Sequence, residues 1–196
     1  MSHAINDEAL DQVFRRARTH NTWQDKPVSP ALLMALYDLM RQGPTSANSS
    51  PARIVFVASQ GAKARLKAHL SPNNVDKTMA APVTAIIGYD LDFARRLPAL
   101  FPARPAMKDV FSDPRFAETT AFRNGSLQGG YFIIAARALG LDCGPMSAFD
   151  NAGVDREFFP DGTVKSNFLC NLGYGVSEAL APRNPRLSFD EACQIL

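Results

Sequence analysis

Residues 83–89, with the sequence VTAIIGY, set a strong limit on how this chain folds. The segment is almost continuously apolar and rich in β-branched residues, which favour strands. A strand with one face in water alternates apolar and polar residues, and this segment shows no such alternation. It therefore predicts a strand that is buried on both faces, with other elements packed on each side.

Helical patterns lie on both sides of this strand in the sequence. Apolar residues recur at helical spacing over 6–20, and Ser29 followed by Pro30 predicts the start of a second helix. The longest helical pattern spans 114–139 and ends before Gly140. The other predicted segments are strands at 54–57 and 164–174, a turn at 144–146 and a long loop at 98–114.

These elements do not alternate regularly between strand and helix, which favours the α+β class, a small sheet wrapped by helices. Since no repeat, low-complexity tract or linker is visible, we expect one domain over residues 1–196. Gly125, Gly129 and Gly130 lie inside the long helical pattern, where each is roughly 1 kcal/mol less favourable than alanine. They predict that another helix or a flat ligand approaches this helix closely.

Charge and cysteine content narrow the classes of partner. The 21 basic and 19 acidic residues leave a net charge of +2, so we expect neither nucleic-acid nor membrane binding. The acidic N-terminus lacks an apolar signal core, and three cysteines fit a reducing compartment better than a disulfide framework. We expect a cytoplasmic protein whose cysteines are small buried apolar residues.

Several kinds of active site are disfavoured by their missing motifs. No G-x-G-x-x-G follows a strand, no P-loop is present, and no serine has a G-x-S-x-G setting. The three histidines are scattered, and neither they nor the cysteines have metal-ligand spacing, so we expect no metal site. If the chain is an enzyme, an organic cofactor must supply the difficult chemistry.

Polar, turn-forming stretches stand at the ends of the apolar elements. Each alone is compatible with ordinary structure: Thr45, Ser46 and Asn48 with turn and cap chemistry, and Arg18 and Arg186 with solvated surface arginines. Both interpretations remain open for the single stretches. Their combination carries more information.

Together the stretches resemble those of the nitroreductase family over essentially the whole chain. In that family an arginine-and-hydroxyl run ends the first helix, and a P-S-x-x-N run precedes a strand. An asparagine with a lysine three positions later precedes A-P and an apolar strand, and a basic pair lies near the end. The matching segments here are RTHN at 18–21, PTSANSSPA at 44–52, Asn74 and Lys77 before APV, PMSAF at 145–149, and Arg183 with Arg186.

The resemblance implies a nitroreductase-type fold with a mainly antiparallel central sheet and FMN as cofactor. The 18–21 run and the late arginines would hold the phosphate, because guanidinium groups bind phosphate through paired hydrogen bonds. Side-chain and main-chain donors would face the flavin ring. The implied FMN-binding residues are Arg18, Thr19, His20, Asn21, Pro44, Thr45, Ser46, Asn48, Asn74, Lys77, Pro145, Met146, Ser147, Ala148, Arg183 and Arg186.

The resemblance further implies an intertwined homodimer with FMN at the subunit interface, where the 44–48 stretch serves the flavin of the partner. NADH or NADPH would be the reductant in a ping-pong cycle, with hydride passing through flavin N5. No protein residue is implied to act catalytically, since hydride transfer needs positioning rather than a nucleophile.

Two departures from the usual family motifs indicate a subgroup. Asn21 replaces an arginine, with His20 as a compensating partner, and SPA at 50–52 replaces Q-P-W. This version resembles the reductases that convert malonic semialdehyde to 3-hydroxypropionate in uracil degradation. For such a substrate we expect Arg123 or Lys165 to bind the carboxylate. The alternatives are a general NAD(P)H nitro or quinone reductase, a non-catalytic flavin-binding or dimeric interaction protein, and a flavin-free α+β domain.

Overall fold

The computed structural model describes residues 3–196. Helices account for most of its regular elements. A π-helical turn, Asp11–Arg15, continues α1, and shorter 3₁₀ turns lie at Ser46–Asn48, Phe93–Arg96, Pro105–Phe111 and Ser177–Ala179. The α-helices are α1 Asp7–Leu10, α2 Pro30–Met40, α3 Gln60–Lys67, α4 Pro72–Ala80, α5 Leu97–Leu100, α6 Pro114–Ala138, α7 Asn151–Phe158 and α8 Phe189–Ala192.

Four strands form one sheet in the order β1-β2-β4-β3, and every neighbouring pair is antiparallel. The prediction of an α+β fold with an antiparallel sheet is confirmed. The strand over 83–89 is also confirmed: β2 lies inside the sheet and nearly all of its residues are buried. The strands are β1 Ala52–Val57, β2 Val83–Asp90, β3 Asp142–Met146 and β4 Val164–Gly173.

The predicted turn at 144–146 is wrong, because these residues belong to β3. They pair with Leu169 to Asn171 of β4. Pro145 misled the sequence interpretation, since proline usually marks a turn. It is tolerated here because β3 is an edge strand, where a missing N–H breaks no ladder on the outer side.

The predicted loop at 98–114 is also partly wrong, because it contains α5 and the turn Pro105–Phe111. Phe93, Leu97 and Phe111 form a small apolar core with two alanines of α6. The segment lacks helical periodicity since its helical pieces are only four to seven residues long. Packing against α6, rather than pattern, stabilises them.

Helix α6 packs against the sheet through the glycines that the sequence singled out. A Cβ on Gly125 would lie 2.9 Å from Cβ of Tyr89, and one on Gly129 would lie 2.6 Å from the ring of Phe168. A Cβ on Gly130 would meet nothing within 4 Å. Two of the three glycines therefore admit the sheet, not another helix or a flat ligand.

The predicted caps and cysteine states are largely confirmed. Ser29 caps α2 and Ser188 forms a capping box with Glu191 at α8. Cys143 and Cys170 are buried, and contact with the Cys143 thiol together with burial raises the pKa of Cys170, which keeps it protonated. Cys193 is exposed, contrary to expectation, as are the other residues of the tail after α8. Within residues 3–196 no helix combines the length and apolarity needed to cross a bilayer.

Candidate functional site

A cavity of about 430 Å³ lies beside the end of the first helical segment. Two parts of the chain that are far apart in sequence form most of its wall, the run at 17–21 and the segment at 179–186. Among the residues that the structure describes, no aspartate or glutamate lines the cavity, whereas four arginines do. The residues that matter for its chemistry are Arg18, Thr19, Asn21, Arg137, Arg183 and Arg186.

Two of the arginines join the walls of the cavity through main-chain carbonyl groups. Nη2 of Arg18 donates to O of Ala181 at 2.5 Å. Nη2 of Arg183 donates to O of Arg15 at 2.8 Å and to O of Ala17 at 2.9 Å. Each arginine therefore binds the segment that carries the other. Because a guanidinium has five N–H donors, both retain donors for an anion in the cavity.

Arg186 is less constrained than this pair. Its Nη1 donates to O of Asn184 at 2.9 Å and to O of Pro185 at 3.0 Å, both within its own turn. The rest of the exposed guanidinium is free of described hydrogen bonds, so it can turn toward a ligand. An arginine-lined cavity without carboxylates favours a multiply charged anion such as a phosphate group.

The side chain of His20 does not take part in this cavity. It is buried, and its Nε2 lies 3.4 Å from Oδ1 of Asp142, whose Oδ2 accepts a hydrogen bond from N of Gly175. A Cβ on Gly175 would overlap the imidazole ring. His20 thus packs behind the 18–21 run, and its side chain does not line the cavity.

A second group of predicted residues gathers around the end of β3. Nδ2 of Asn74 donates to O of Ala148 at 2.8 Å, and N of Ser71 donates to the same oxygen at 3.3 Å. The carbonyl of Lys77 accepts hydrogen bonds from Nε1 of Trp23 at 3.1 Å and from Nδ2 of Asn171 at 3.2 Å. Asn74 therefore holds the 145–148 segment in place with the donor that was expected to face a ligand.

Strand β3 connects the two groups. N of His20 donates to O of Cys143 at 3.0 Å, and Thr19 forms an isolated bridge with the same residue. From Cys143 the strand continues through Pro145 and Met146 to the segment that Asn74 holds. The arginine-lined cavity and the Asn74 group consequently lie along one edge of the sheet.

The predicted stretch at 44–48 lies elsewhere in the same chain. N of Ser46 donates to Oδ1 of Asn124 at 2.8 Å, and Nδ2 of Asn48 donates to O of Leu100 at 2.7 Å. Asn124 and Arg137 are both on α6, and a helical rise of 1.5 Å per residue separates them by about 20 Å. One chain thus does not bring the 44–48 stretch to the cavity.

Comparisons with known proteins show the family to which the chain belongs. The model of the nitroreductase family matches residues 14–174. The chain belongs to the nitroreductase family. A "Putative NADH dehydrogenase/NAD(P)H nitroreductase" of Stenotrophomonas maltophilia (strain K279a) is 61% identical over 196 residues, covering 100% of both chains. One of the same name from Caulobacter sp. (strain K31) is 58% identical over 192 residues, covering 98% of both.

The fold has a counterpart among solved structures. A "putative nitroreductase in complex with FMN" from Exiguobacterium sibiricum superposes with a TM-score of 0.86 and covers 100% of both chains, at 15% sequence identity. At that identity the likeness concerns the fold alone. The nitroreductase-type fold expected from the sequence is confirmed.

The two alternatives for binding a substrate carboxylate, Arg123 and Lys165, lie in different surroundings. Arg123 is exposed on α6. Lys165 lines a different cavity, of about 490 Å³, where its Nζ lies 3.8 Å from Oδ2 of Asp155. Glu118 also lines that cavity, and burial followed by the charges of Glu118 and Asp155 raises the pKa of Tyr89 there. Two carboxylates weaken the attraction of Lys165 for an anionic substrate.

Sequence reasoning missed three residues around the predicted site. Arg137 lines the arginine-rich cavity, and Asn124 and Gln128 accept hydrogen bonds from N of Ser46 and N of Ala52. A weak signal existed for each, because all three are polar residues within the apolar pattern of α6. Asn124 and Gln128 are buried, and a buried amide in a helix is retained where it satisfies a main-chain group elsewhere.

Proposed function

We propose that this chain is an FMN-dependent NAD(P)H oxidoreductase. The observation that carries the proposal is the convergence of Arg18 and Arg186, which are far apart in sequence, on one cavity. No described aspartate or glutamate lines this cavity. The relatives from Stenotrophomonas and Caulobacter support it, since their names describe NAD(P)H nitroreductases. The Exiguobacterium structure supports FMN as the ligand, because its description includes that cofactor on the same fold.

The residues present fit FMN. A phosphate monoester carries roughly two negative charges and needs charge-assisted hydrogen bonds, which Arg18, Arg183 and Arg186 supply in this proposal. Thr19 and Asn21 add neutral polar groups to the same wall. Along the edge of the sheet, the segment 145–148 and the buried Asn74 would border the ring.

We further propose that the chain acts as a homodimer. The 44–48 stretch lies about 20 Å from the cavity along α6, so in this proposal it contacts the flavin of the partner. Large apolar side chains on α2 and α6 remain exposed in the single chain, which is typical of a surface that a partner covers. They are Met34, Tyr37, Leu39, Phe122, Leu127, Tyr131 and Ile134.

When bound, FMN supplies the redox chemistry by accepting hydride equivalents from a nicotinamide and passing them to an acceptor. The protein contributes binding and orientation. Arg18 and Arg183 hold the walls of the phosphate cavity, and Asn74 fixes the segment 145–148 through Ala148. No side chain needs to act as a nucleophile, and positioning alone accelerates such a reaction strongly.

The acceptor that we propose is malonic semialdehyde, which the reaction converts to 3-hydroxypropionate. The support is the motif version of this chain, RTHN with SPA at 50–52, which resembles that subgroup. A general NAD(P)H nitro or quinone reductase is the second candidate, favoured by the names of the relatives. Comparison of kcat/KM for the semialdehyde and for a nitroaromatic compound separates the two.

The cofactor is tested with the purified protein. We expect a yellow protein whose released ligand has the mass of FMN, and we expect NADH under nitrogen to bleach the flavin absorbance. A colourless protein that takes up no FMN would contradict the proposal. A yellow protein that NADH and NADPH both fail to bleach would indicate a flavin-binding protein without turnover.

A further inference from the structure

Arg137 lies near the C-terminal end of α6 and lines the same cavity as Arg18, Arg183 and Arg186. It is not among the FMN-binding residues that the sequence implied. We propose that Arg137 is a phosphate-binding residue of this cavity, an inference that rests on the proposed function. Its role would be to favour FMN over the same flavin without a phosphate group.

The charge of Arg137 is partly enclosed, and residues 3–196 provide no ion pair for it. Its Nε is buried and has no hydrogen-bond partner within the described part of the chain. Nη1 donates to O of Val13, a neutral acceptor, at 3.2 Å. Among residues 3–196 the cavity wall holds no carboxylate, and its other lining residues are arginines, neutral polar residues and apolar residues.

Such an arrangement is unfavourable until an anion arrives. A charged group taken partly out of water loses solvation that a single neutral carbonyl does not replace. The same loss of water lowers the screening, so an anion beside Arg137 is attracted more strongly than one beside an exposed arginine. Because Nε is enclosed, the contact with phosphate would come from the Nη groups at the end of the side chain.

The position on α6 supports a stable cation at this place. The C-terminal end of a helix carries partial negative charge, which favours a positive side chain within the last turn. Gln12 also donates from Nε2 to O of Arg137 at 2.8 Å and to O of Ala138 at 3.3 Å. The backbone that carries the guanidinium is therefore fixed against the first helical segment.

A purely structural role is the alternative that an experiment must separate. The bond from Arg137 to Val13 links α6 to the first helical segment, and the bonds from Gln12 do the same. Gln12→Ala removes part of this link but leaves every charge of the cavity in place. It is a matched control, because it loosens the same contact between the same two segments.

The test compares FMN with riboflavin, which lacks the phosphate. The dissociation constants of both are measured by titration of the flavin-free protein, for the wild type, Arg137→Gln, Arg137→Lys and Gln12→Ala. We expect Arg137→Gln to weaken FMN binding about tenfold and to leave riboflavin binding unchanged. Arg137→Lys should weaken FMN binding less, because it keeps the charge but loses the planar pair of donors. Gln12→Ala should keep the wild-type ratio of the two constants.

An unchanged ratio of the FMN and riboflavin dissociation constants would contradict the inference. If Arg137→Gln weakens the binding of FMN and of riboflavin equally, or weakens the binding of neither, Arg137 does not bind the phosphate. If Arg137→Gln does not fold, Arg137→Met, which also removes the charge, takes its place, and an unchanged ratio in that variant would have the same meaning.

Titration with inorganic phosphate separates this inference from the proposed function. One outcome is that the wild type binds no flavin but binds inorganic phosphate, and that Arg137→Gln binds phosphate more weakly than the wild type. The proposed function then fails and the anion site stands. If the phosphate affinity is also unchanged, both fail.

Discussion

The main-chain N–H of Ser46 donates to Oδ1 of Asn124 at 2.8 Å, so a buried amide on α6 fixes the start of a strained loop. In this loop Ala47, Asn48 and Ser50 have φ values of 52°, 51° and 41°. Non-glycine residues rarely adopt this left-handed region, and each contributes strain of order 1–3 kcal/mol. Hydrogen bonds hold the loop at both ends, since N of Ser50 also donates to Oγ1 of Thr45 at 3.1 Å.

Replacement of Asn124 by leucine should destabilise the protein by about 1–3 kcal/mol, because N of Ser46 loses its acceptor. Urea unfolding of wild type and variant measures the difference. Thr119→Ala, on the exposed side of the same helix, should change the free energy of unfolding by less than about 0.5 kcal/mol. Equal stability of Asn124→Leu and the wild type would show that the loop holds its conformation without this bond.

Arg186 offers a test of the proposed phosphate site that should leave the fold intact. Its described hydrogen bonds stay within its own turn, so Arg186→Met should leave the melting temperature almost unchanged. FMN binding should weaken about tenfold, since one charge-assisted contact is lost. Fluorescence titration of the flavin-free protein measures the affinity. Arg95→Met, at a residue paired with Asp92, is the control and should bind FMN as the wild type does.

Substitution by alanine should have opposite effects on stability at Gly125 and at Gly130 of α6. Gly125→Ala should destabilise the protein by about 1–3 kcal/mol, because its Cβ would lie 2.9 Å from Cβ of Tyr89, an atom fixed to the sheet. Gly130→Ala meets no atom within 4 Å and gains roughly 1 kcal/mol of helix propensity in the single chain. Thermal unfolding compares the two.

Gly130 also probes the proposed dimer. It lies on the exposed side of α6 beside Tyr131, among the large apolar residues expected to meet a partner. If that face is an interface, bulky substitution by Gly130→Leu should shift the protein toward monomers in size-exclusion chromatography with light scattering. An unchanged dimer would place the interface elsewhere.

Lys63 predicts a particular dependence of stability on pH. Its buried Nζ donates to the carbonyls of Thr78 and Met79, at 3.2 and 3.3 Å, and to that of Ala81, near the end of α4. Burial lowers the pKa of this ammonium below its ordinary value of 10.5. The unfolded chain therefore holds its proton to higher pH than the folded chain does. The stability contributed through this group rises as the pH increases from the folded pKa toward 10.5 and is lost as the pH falls again.

The measurement is the difference in unfolding free energy between the wild type and Lys63→Met. This difference should grow in favour of the wild type as the pH rises through that window. Lys67→Met, at an exposed position of the same helix, should show no such trend. A constant difference would mean that the folded state holds the proton as strongly as the unfolded chain, and a falling one that it holds the proton more strongly.

Local sequence determined most of the secondary structure. Three features each depend only on residues close together in the sequence, and the structure agrees with the prediction from each. They are the apolar run at 83–89, the capping residue Ser29 and the periodic pattern of α6. The family could also be predicted from the sequence, because each of its motifs is a contiguous stretch. Where Pro145 indicated a turn, the interpretation failed, since only pairing with β4 makes that segment an edge strand.

The composition of the arginine cavity was decided by tertiary structure. The chain had to fold before Arg18, Arg137 and Arg186 could line one space and before His20 could turn behind it, because these contacts join residues up to 168 positions apart. Periodicity indicates which face of a helix or strand is apolar. It does not indicate which polar residues of other elements that helix or strand contacts. Long-range packing determines these contacts, and the electrostatics of the cavity follow from them.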